Sequence, residues 1–175
     1  MMRLRIGASV CAIVLLGASN LMAQGKLVCS LLTATEVAAA LGSSKAGVER
    51  EMPIPGAPKE ATLKLCSWPL ASGGGGLQLS ASRMDPRISF ESLVSQSFQA
   101  YEALKAQGWT EDRKDFGGVK CLAVKPPAGK EEAAPLTTSC MAQGKGMFLA
   151  ATTMTKTPVS MDKVKILIDS AMGRL

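Results

Sequence analysis

Ser160 and Lys163 stand in S-x-x-K spacing at the start of an amphipathic C-terminal segment. A lysine one helical turn from a serine can activate the hydroxyl for acyl transfer, as in penicillin-binding proteins. The companion motifs of that chemistry are missing: the chain has no S-D-N, and Pro158 follows Lys156-Thr157 where K-T-G needs glycine. The chain also contains no histidine, which removes the commonest general base and the usual hydrolase triads. A helix-capping serine beside an exposed lysine is the simpler reading of the pair. Met141, Met147 and Met154 cluster in the last strand hairpin. Thioethers can hold Cu(I) outside the cytoplasm. Without M-x-M or M-x-x-M grouping and without histidine, these three read as core filler. The carboxylates Glu111, Asp112 and Asp115 surround Arg113 and Lys114, and Glu131-Glu132 lies in a Pro/Ala/Lys loop. Neither group is a carboxylate pair set on rigid strands for glycoside chemistry. Gly73–Gly76 lacks the following helix and Lys-Ser pair of a phosphate loop, so it reads as a flexible hairpin tip.

Five cysteines are present. Cys11 lies in the N-terminal segment; Cys29, Cys66, Cys121 and Cys140 follow it. There is no C-x-x-C and no histidine, so a structural metal site is excluded as a reading. An even number of cysteines after an export signal reads as two disulfides, for which three connectivities exist. One bridge in each half of the chain, Cys29–Cys66 and Cys121–Cys140, is the favoured arrangement.

The export signal is residues 1–23. Arg3 and Arg5 form a basic start, Ile6 to Leu16 is an apolar stretch, and Leu21-Met22-Ala23 precedes a cleavage point before Gln24. The apolar stretch is too short and too Gly/Ala-broken for a comfortable membrane span. Residues 24–175 then form one domain, long enough to bury a core. Without Arg3 and Arg5 this part carries 18 basic and 14 acidic residues, a net charge of +4. It has no dense Lys/Arg run, so nucleic acid is a poor partner for it.

The elements that must position these groups follow from periodicity. Thr33 and Glu36 have capping-box spacing, Leu32 and Val37 staple spacing, and Gly42 supplies a left-handed stop, giving a first helix. Ser43–Pro58, with three prolines, reads as a connector. Ala61, Leu63 and Leu65 alternate with polar residues as a strand that carries Cys66 and Trp68 on one face. Leu77–Ala81 is its hairpin partner. A long helix follows, capped by Asp85 with Pro86 at its first position, or by Ser89; Phe90, Leu93, Val94, Ser97, Tyr101 and Leu104 share a face, and Gly108 stops it. Val119–Val124 is apolar on both sides and reads as a central strand. Lys125–Pro135 is a loop. Leu136–Gln143 and Met147–Thr155 form a hairpin, and Ser160 caps a last helix with Val164, Leu167, Ile168, Ala171 and Leu175 facing the sheet.

The start C-x-L-L-T-x-x-E-V-x-x-x-L-G (Cys29 to Gly42), followed by the C-x-W strand (Cys66-Ser67-Trp68), resembles a domain-of-unknown-function family common among actinobacterial cell-envelope lipoproteins. The match spans roughly residues 29–81. The resemblance implies a Cys29–Cys66 bridge and an antiparallel sheet with helices. The chain departs from the family in lacking a lipobox: Ala8-Ser9-Val10 ahead of Cys11 has no leucine at the required position.

The expectation is therefore an α+β domain. It has an antiparallel sheet of about five strands and three helices, in the order α-β-β-α-β-β-β-α, with two disulfides. It is secreted or periplasmic, with no integral span after signal cleavage and no cofactor or metal. It acts as a non-enzymatic binding module of the cell envelope toward an envelope protein or small ligand. The alternatives are a small periplasmic hydrolase using Ser160 and Lys163, or a methionine-based copper carrier.

Overall fold

The computed structural model describes residues 27–42, 45–53, 62–71, 74–84, 86–130 and 134–175. The expected signal segment, Cys11, Gly73, Asp85, Glu131-Glu132 and residues 43–44 and 54–59 of the connector lie outside these residues. The described chain is α+β. A 3-10 turn at Val28–Leu31 leads into α1 (Ala34–Leu41), followed by β1 (Val48–Pro53), β2 (Thr62–Pro69), β3 (Gly76–Arg83) and α2 (Phe90–Lys105). Then come β4 (Thr110–Asp115), β5 (Val119–Lys125), β6 (Leu136–Gly144), β7 (Met147–Thr155) and α3 (Met161–Arg174). All strands pair antiparallel in one sheet of order β1-β2-β3-β7-β6-β5-β4.

The local signals act as their chemistry dictates. The α1 capping box is complete: the Thr33 amide donates to Glu36 Oε2 at 2.8 Å and the Glu36 amide to Thr33 Oγ1 at 3.2 Å. Leu32 and Val37 are both buried in the same core, and Gly42 ends the helix at φ 95°. The β6–β7 hairpin turns on Lys145 and Gly146 with φ 51° and 73°. Positive φ at both positions is the geometry of a two-residue type I′ turn, whose twist suits the strands.

Seven strands, not five, make the sheet. Both missed strands are its edges. β1 falls within the proline-bearing connector; Glu49, Arg50 and Glu51 gave it no alternation of apolar and polar residues. β4, Thr-Glu-Asp-Arg-Lys-Asp, has none either, and its charges read as solvated surface. Edge strands bury little and are protected by charge, so they lack the apolar period that reveals interior strands. β7 is the central strand, and β5 lies second from the edge. Its two apolar faces are explained by helices on both sides. Val119 and Cys121 pack with α3, Leu122 and Val124 with α2. Of the two expected caps for α2, the second is used. Ser89, not Asp85 with Pro86, caps α2, its hydroxyl accepting from the Ser92 amide at 3.1 Å. At the other end Gly108 stops the helix as expected: at φ 82° its amide donates to the Lys105 carbonyl at 2.9 Å and the Trp109 amide to the Leu104 carbonyl at 3.2 Å.

The sheet separates two cores. On one face the 3-10 turn, α1 and α3 cover Cys66, Trp68, Leu77, Leu79, Leu149 and Ala151. On the other, α2 lays Phe90, Leu93, Val94, Phe98 and Tyr101 on Leu122, Val124, Met141, Phe148 and Ala150. No helix among the described residues is long and apolar enough to cross a membrane.

α1 is tied to α3 by a two-point ion pair. Arg174 Nη2 meets Glu36 Oε1 at 2.7 Å, and Nη1 donates to Glu36 Oε2 and to the Leu31 carbonyl, both at 2.9 Å. The Arg174 hydrogen bonds, with those from Thr33, hold the Glu36 carboxyl at about 2 against an ordinary 4.5. A carboxyl pKa lowered by folding stabilises the fold above its unfolded value, and that contribution fades as pH falls through the folded value. The stability gap between wild type and Arg174→Gln is therefore full above pH 4.5 and closes between pH 4.5 and about 2. Urea unfolding at pH 7, 4 and 2.5 measures it; a gap independent of pH would show that Arg174 acts by packing alone.

Candidate functional site

Both disulfides take the favoured connectivity. Cys29 and Cys66 join the 3-10 turn to β2 with Cα atoms 5.0 Å apart, and Cys121 and Cys140 join β5 to β6 at 4.1 Å. Cys121 and Cys140 are directly opposed in the ladder and both buried. The Cys140 sulfur lies 3.7 Å from the Met161 carbonyl, so the first turn of α3 seals this bridge. Cys66 is buried, whereas Cys29 is half-buried. The Trp68 indole packs beside the Cys66 sulfur as the strand period requires: a Cβ on Gly47 would lie 2.6 Å from both Cys66 Sγ and Trp68 Nε1. Gly47 is what lets β1 approach them.

Ser160 is placed as the cap of α3. Its hydroxyl accepts from the Lys163 backbone amide at 3.4 Å, and both residues face solvent. That hydrogen bond is a capping contact and does not involve the lysine amine. Ser160→Ala should remove a cap and about 1 kcal/mol of stability. Urea unfolding measures it; a loss well above about 2 kcal/mol would show that Ser160 does more than cap the helix.

The three hairpin methionines do not converge. Met147 packs on the α3 face, whereas Met141 is buried under α2. Met154 shares the α2 face with Met141, but Met141 pairs with Ala150, four residues earlier in β7. Four strand residues span roughly 13 Å, too far for a common metal ion. Among the described residues, no three of His, Cys, Asp and Glu gather where a metal could sit.

What the sheet does bring together is a row that the sequence reading did not single out. Ser67 of β2, Gln78 of β3, Thr152 of β7 and Ser139 of β6 are successive cross-strand partners on the α2 face. The Ser139 and Thr152 hydroxyls share a hydrogen bond at 2.9 Å. Ser80 and Thr137 flank the row, and none of the six is ionisable. Ser67, Gln78, Ser80 and Thr137 are partly exposed. Val48 and Met52 on β1, at the border, are 50% and 42% exposed. The detectable signal was Q-x-S in β3 (Gln78, Ser80) and T-x-S in β6 (Thr137, Ser139), two polar periods on one face.

Ion pairs hold α2 toward the β4 side of this face. Its C-terminal end is held to edge strand β4 by Arg113, 2.7 Å from Glu102 and 2.9 Å from Glu111, and by Lys105, 2.7 Å from Glu111. The Arg113 guanidinium also lies 5.3 Å from the centre of the Phe98 ring. Its N-terminal end is held by Glu91 and Lys120 at 2.9 Å. Hydrogen bonds from Lys105 and Arg113 hold the Glu102 carboxyl below its ordinary range, and Lys120 does the same to Asp115. These pairs dock α2 over β5, β6 and β7, where Thr152 and Ser139 are buried, while Ser67 and Gln78 on β2 and β3 keep exposed surface.

No protein-family model matches the chain, and no curated protein matches it.

Proposed function

We propose that the chain is an exported, non-enzymatic binding module of the cell envelope, which engages an envelope protein through the uncovered part of the α2 face. The observation that carries this reading is the partly exposed, uncharged pair Ser67–Gln78, backed by the buried hydroxyls of Thr152 and Ser139 in the same row and bordered by exposed Val48 and Met52. Hydroxyl and amide groups on a fixed scaffold, with apolar surface beside them, suit a partner that brings matching neutral hydrogen-bonding groups. The two disulfides support an oxidising compartment, and the resemblance of the first helix and C-x-W strand supports the envelope assignment. The placement of Ser160 as a cap and the separation of the methionines weigh against the hydrolase and copper-carrier readings.

The test is capture from the native envelope with full-length protein as bait. Gln78→Arg places a charge in the row; if that charge is buried unpaired in the complex, it should cost about 2 kcal/mol or more, a loss of tenfold or greater in affinity. The same protein should lose its capture with Gln78→Arg and keep it with Lys163→Glu on the other side of the sheet. Unfolding of both variants should stay near wild type, since surface changes fall within about 0.5 kcal/mol. Equal capture by the two variants would place the interaction elsewhere.

A further inference from the structure

Glu49 of β1 is the direct cross-strand partner of Cys66. Its Oε2 atom is buried and has no hydrogen-bond partner among the described residues. A buried carboxylate oxygen left unsatisfied is unfavourable and calls for a physical reason. Gly47, two residues earlier on the same strand face, lies against the Cys66 sulfur and the Trp68 ring, so β1 and this sulfur are in close approach. The bridge itself is asymmetric. Cys66 has no exposed surface, while Cys29 is half-buried in the four-residue turn ahead of α1. The second bridge has no such opening: Cys121 and Cys140 are both buried under α3.

We propose that Cys29–Cys66 is a thiol–disulfide exchange site for a dithiol reductant, with Glu49 as the acceptor that receives the released Cys66 thiol. This goes beyond the binding reading and does not depend on it. Cys29 is the residue of the bridge with exposed surface, so its sulfur is the one attacked. A thiolate of the dithiol attacks it, a new S–S bond forms to Cys29, and the Cys29–Cys66 bond breaks with its electron pair on Cys66. Cys66 takes up a proton and donates its S–H to Glu49 Oε2, which the oxidised protein leaves without a donor. The second thiolate of the reductant then attacks its own sulfur in the mixed disulfide and releases Cys29, which takes up the second proton. The protein has gained two electrons and two protons, and the reductant is a disulfide. The 3-10 turn and α1 lose their tie to β2 and keep their tie to α3 through Arg174 and Glu36.

Full-length protein equilibrated in graded dithiothreitol, quenched by alkylation and mapped by mass, tests this. Cys29–Cys66 should open at least tenfold below the reductant ratio that opens Cys121–Cys140. Glu49→Leu removes the acceptor and the unsatisfied oxygen, so it should shift the Cys29–Cys66 equilibrium about tenfold toward the oxidised form, close to 30 mV, without moving Cys121–Cys140. Glu49→Gln retains an oxygen acceptor and should shift it less, which keeps the test valid if the leucine variant folds poorly. In partly reduced, undenatured protein Cys29 should alkylate faster than Cys66. Simultaneous opening of both bridges, equal alkylation of Cys29 and Cys66, or unchanged Cys29–Cys66 equilibria in both Glu49 variants would overturn the proposal.

Discussion

Replacing Cys121 and Cys140 together by alanine should lower the unfolding free energy by about 3 kcal/mol. The bridge closes a sequence separation of 19 residues, and in the chain-entropy model its loss returns that loop's freedom to the unfolded chain. The native contribution has the same sign. The two sulfurs are directly opposed between β5 and β6 and buried under the first turn of α3, so truncation also leaves unfilled space beneath Met161. Because β5 and β6 carry residues of both cores, loosening their register should affect α2 and α3 together. Urea denaturation of oxidised wild type against the double variant measures the difference. A loss below about 1 kcal/mol would mean that the β5–β6 ladder holds its register without the bridge.

The fold was legible wherever burial leaves a period in the sequence. Val164, Leu167, Ile168 and Ala171 repeat at helical spacing because one stripe of α3 meets the sheet, and all four are buried. Leu77, Leu79 and Ala81 alternate because one face of β3 meets the core, and all three are buried. Thr33, Glu36 and Gly42 were readable because capping is local chemistry. β1 and β4 were not, since an edge strand is defined by its neighbour's hydrogen bonds and not by its own side chains. The same limit hid the site. Ser67, Gln78, Thr152 and Ser139 come from four strands, and their alignment depends on β3 pairing with β7, Leu79 opposite Ala151 72 residues later among other pairs, in a sheet order that no periodicity specifies. Glu49 was obscured twice, by lying in a misread connector and by the pairing register that sets it opposite Cys66.

Gly75→Ala should destabilise the chain by about 3 kcal/mol or more, combining steric overpacking with backbone strain. The glycine run reads from sequence as a flexible tip, yet Gly75 is confined. Its φ is 151°, and a Cβ built there would lie 1.9 Å from the Met154 carbonyl oxygen. That oxygen belongs to central strand β7, so it cannot retreat as the end of a side chain would. The β2–β3 connection has to lift away, and the first contact it breaks is Gly76 with Met154, where β3 begins its pairing to β7. This pairing joins the N-terminal strands to the C-terminal ones, so the damage should reach the Cys66–Trp68 core as well as the Gln78–Thr152 step of the polar row. Gly129→Ala is the matched control: its φ of 80° is also left-handed, but nothing lies within 4 Å of the added Cβ. It carries only the backbone strain, about 1 kcal/mol. Thermal unfolding of the two variants side by side separates sterics from conformation, and equal losses would show that the close approach of Gly75 to β7 contributes nothing.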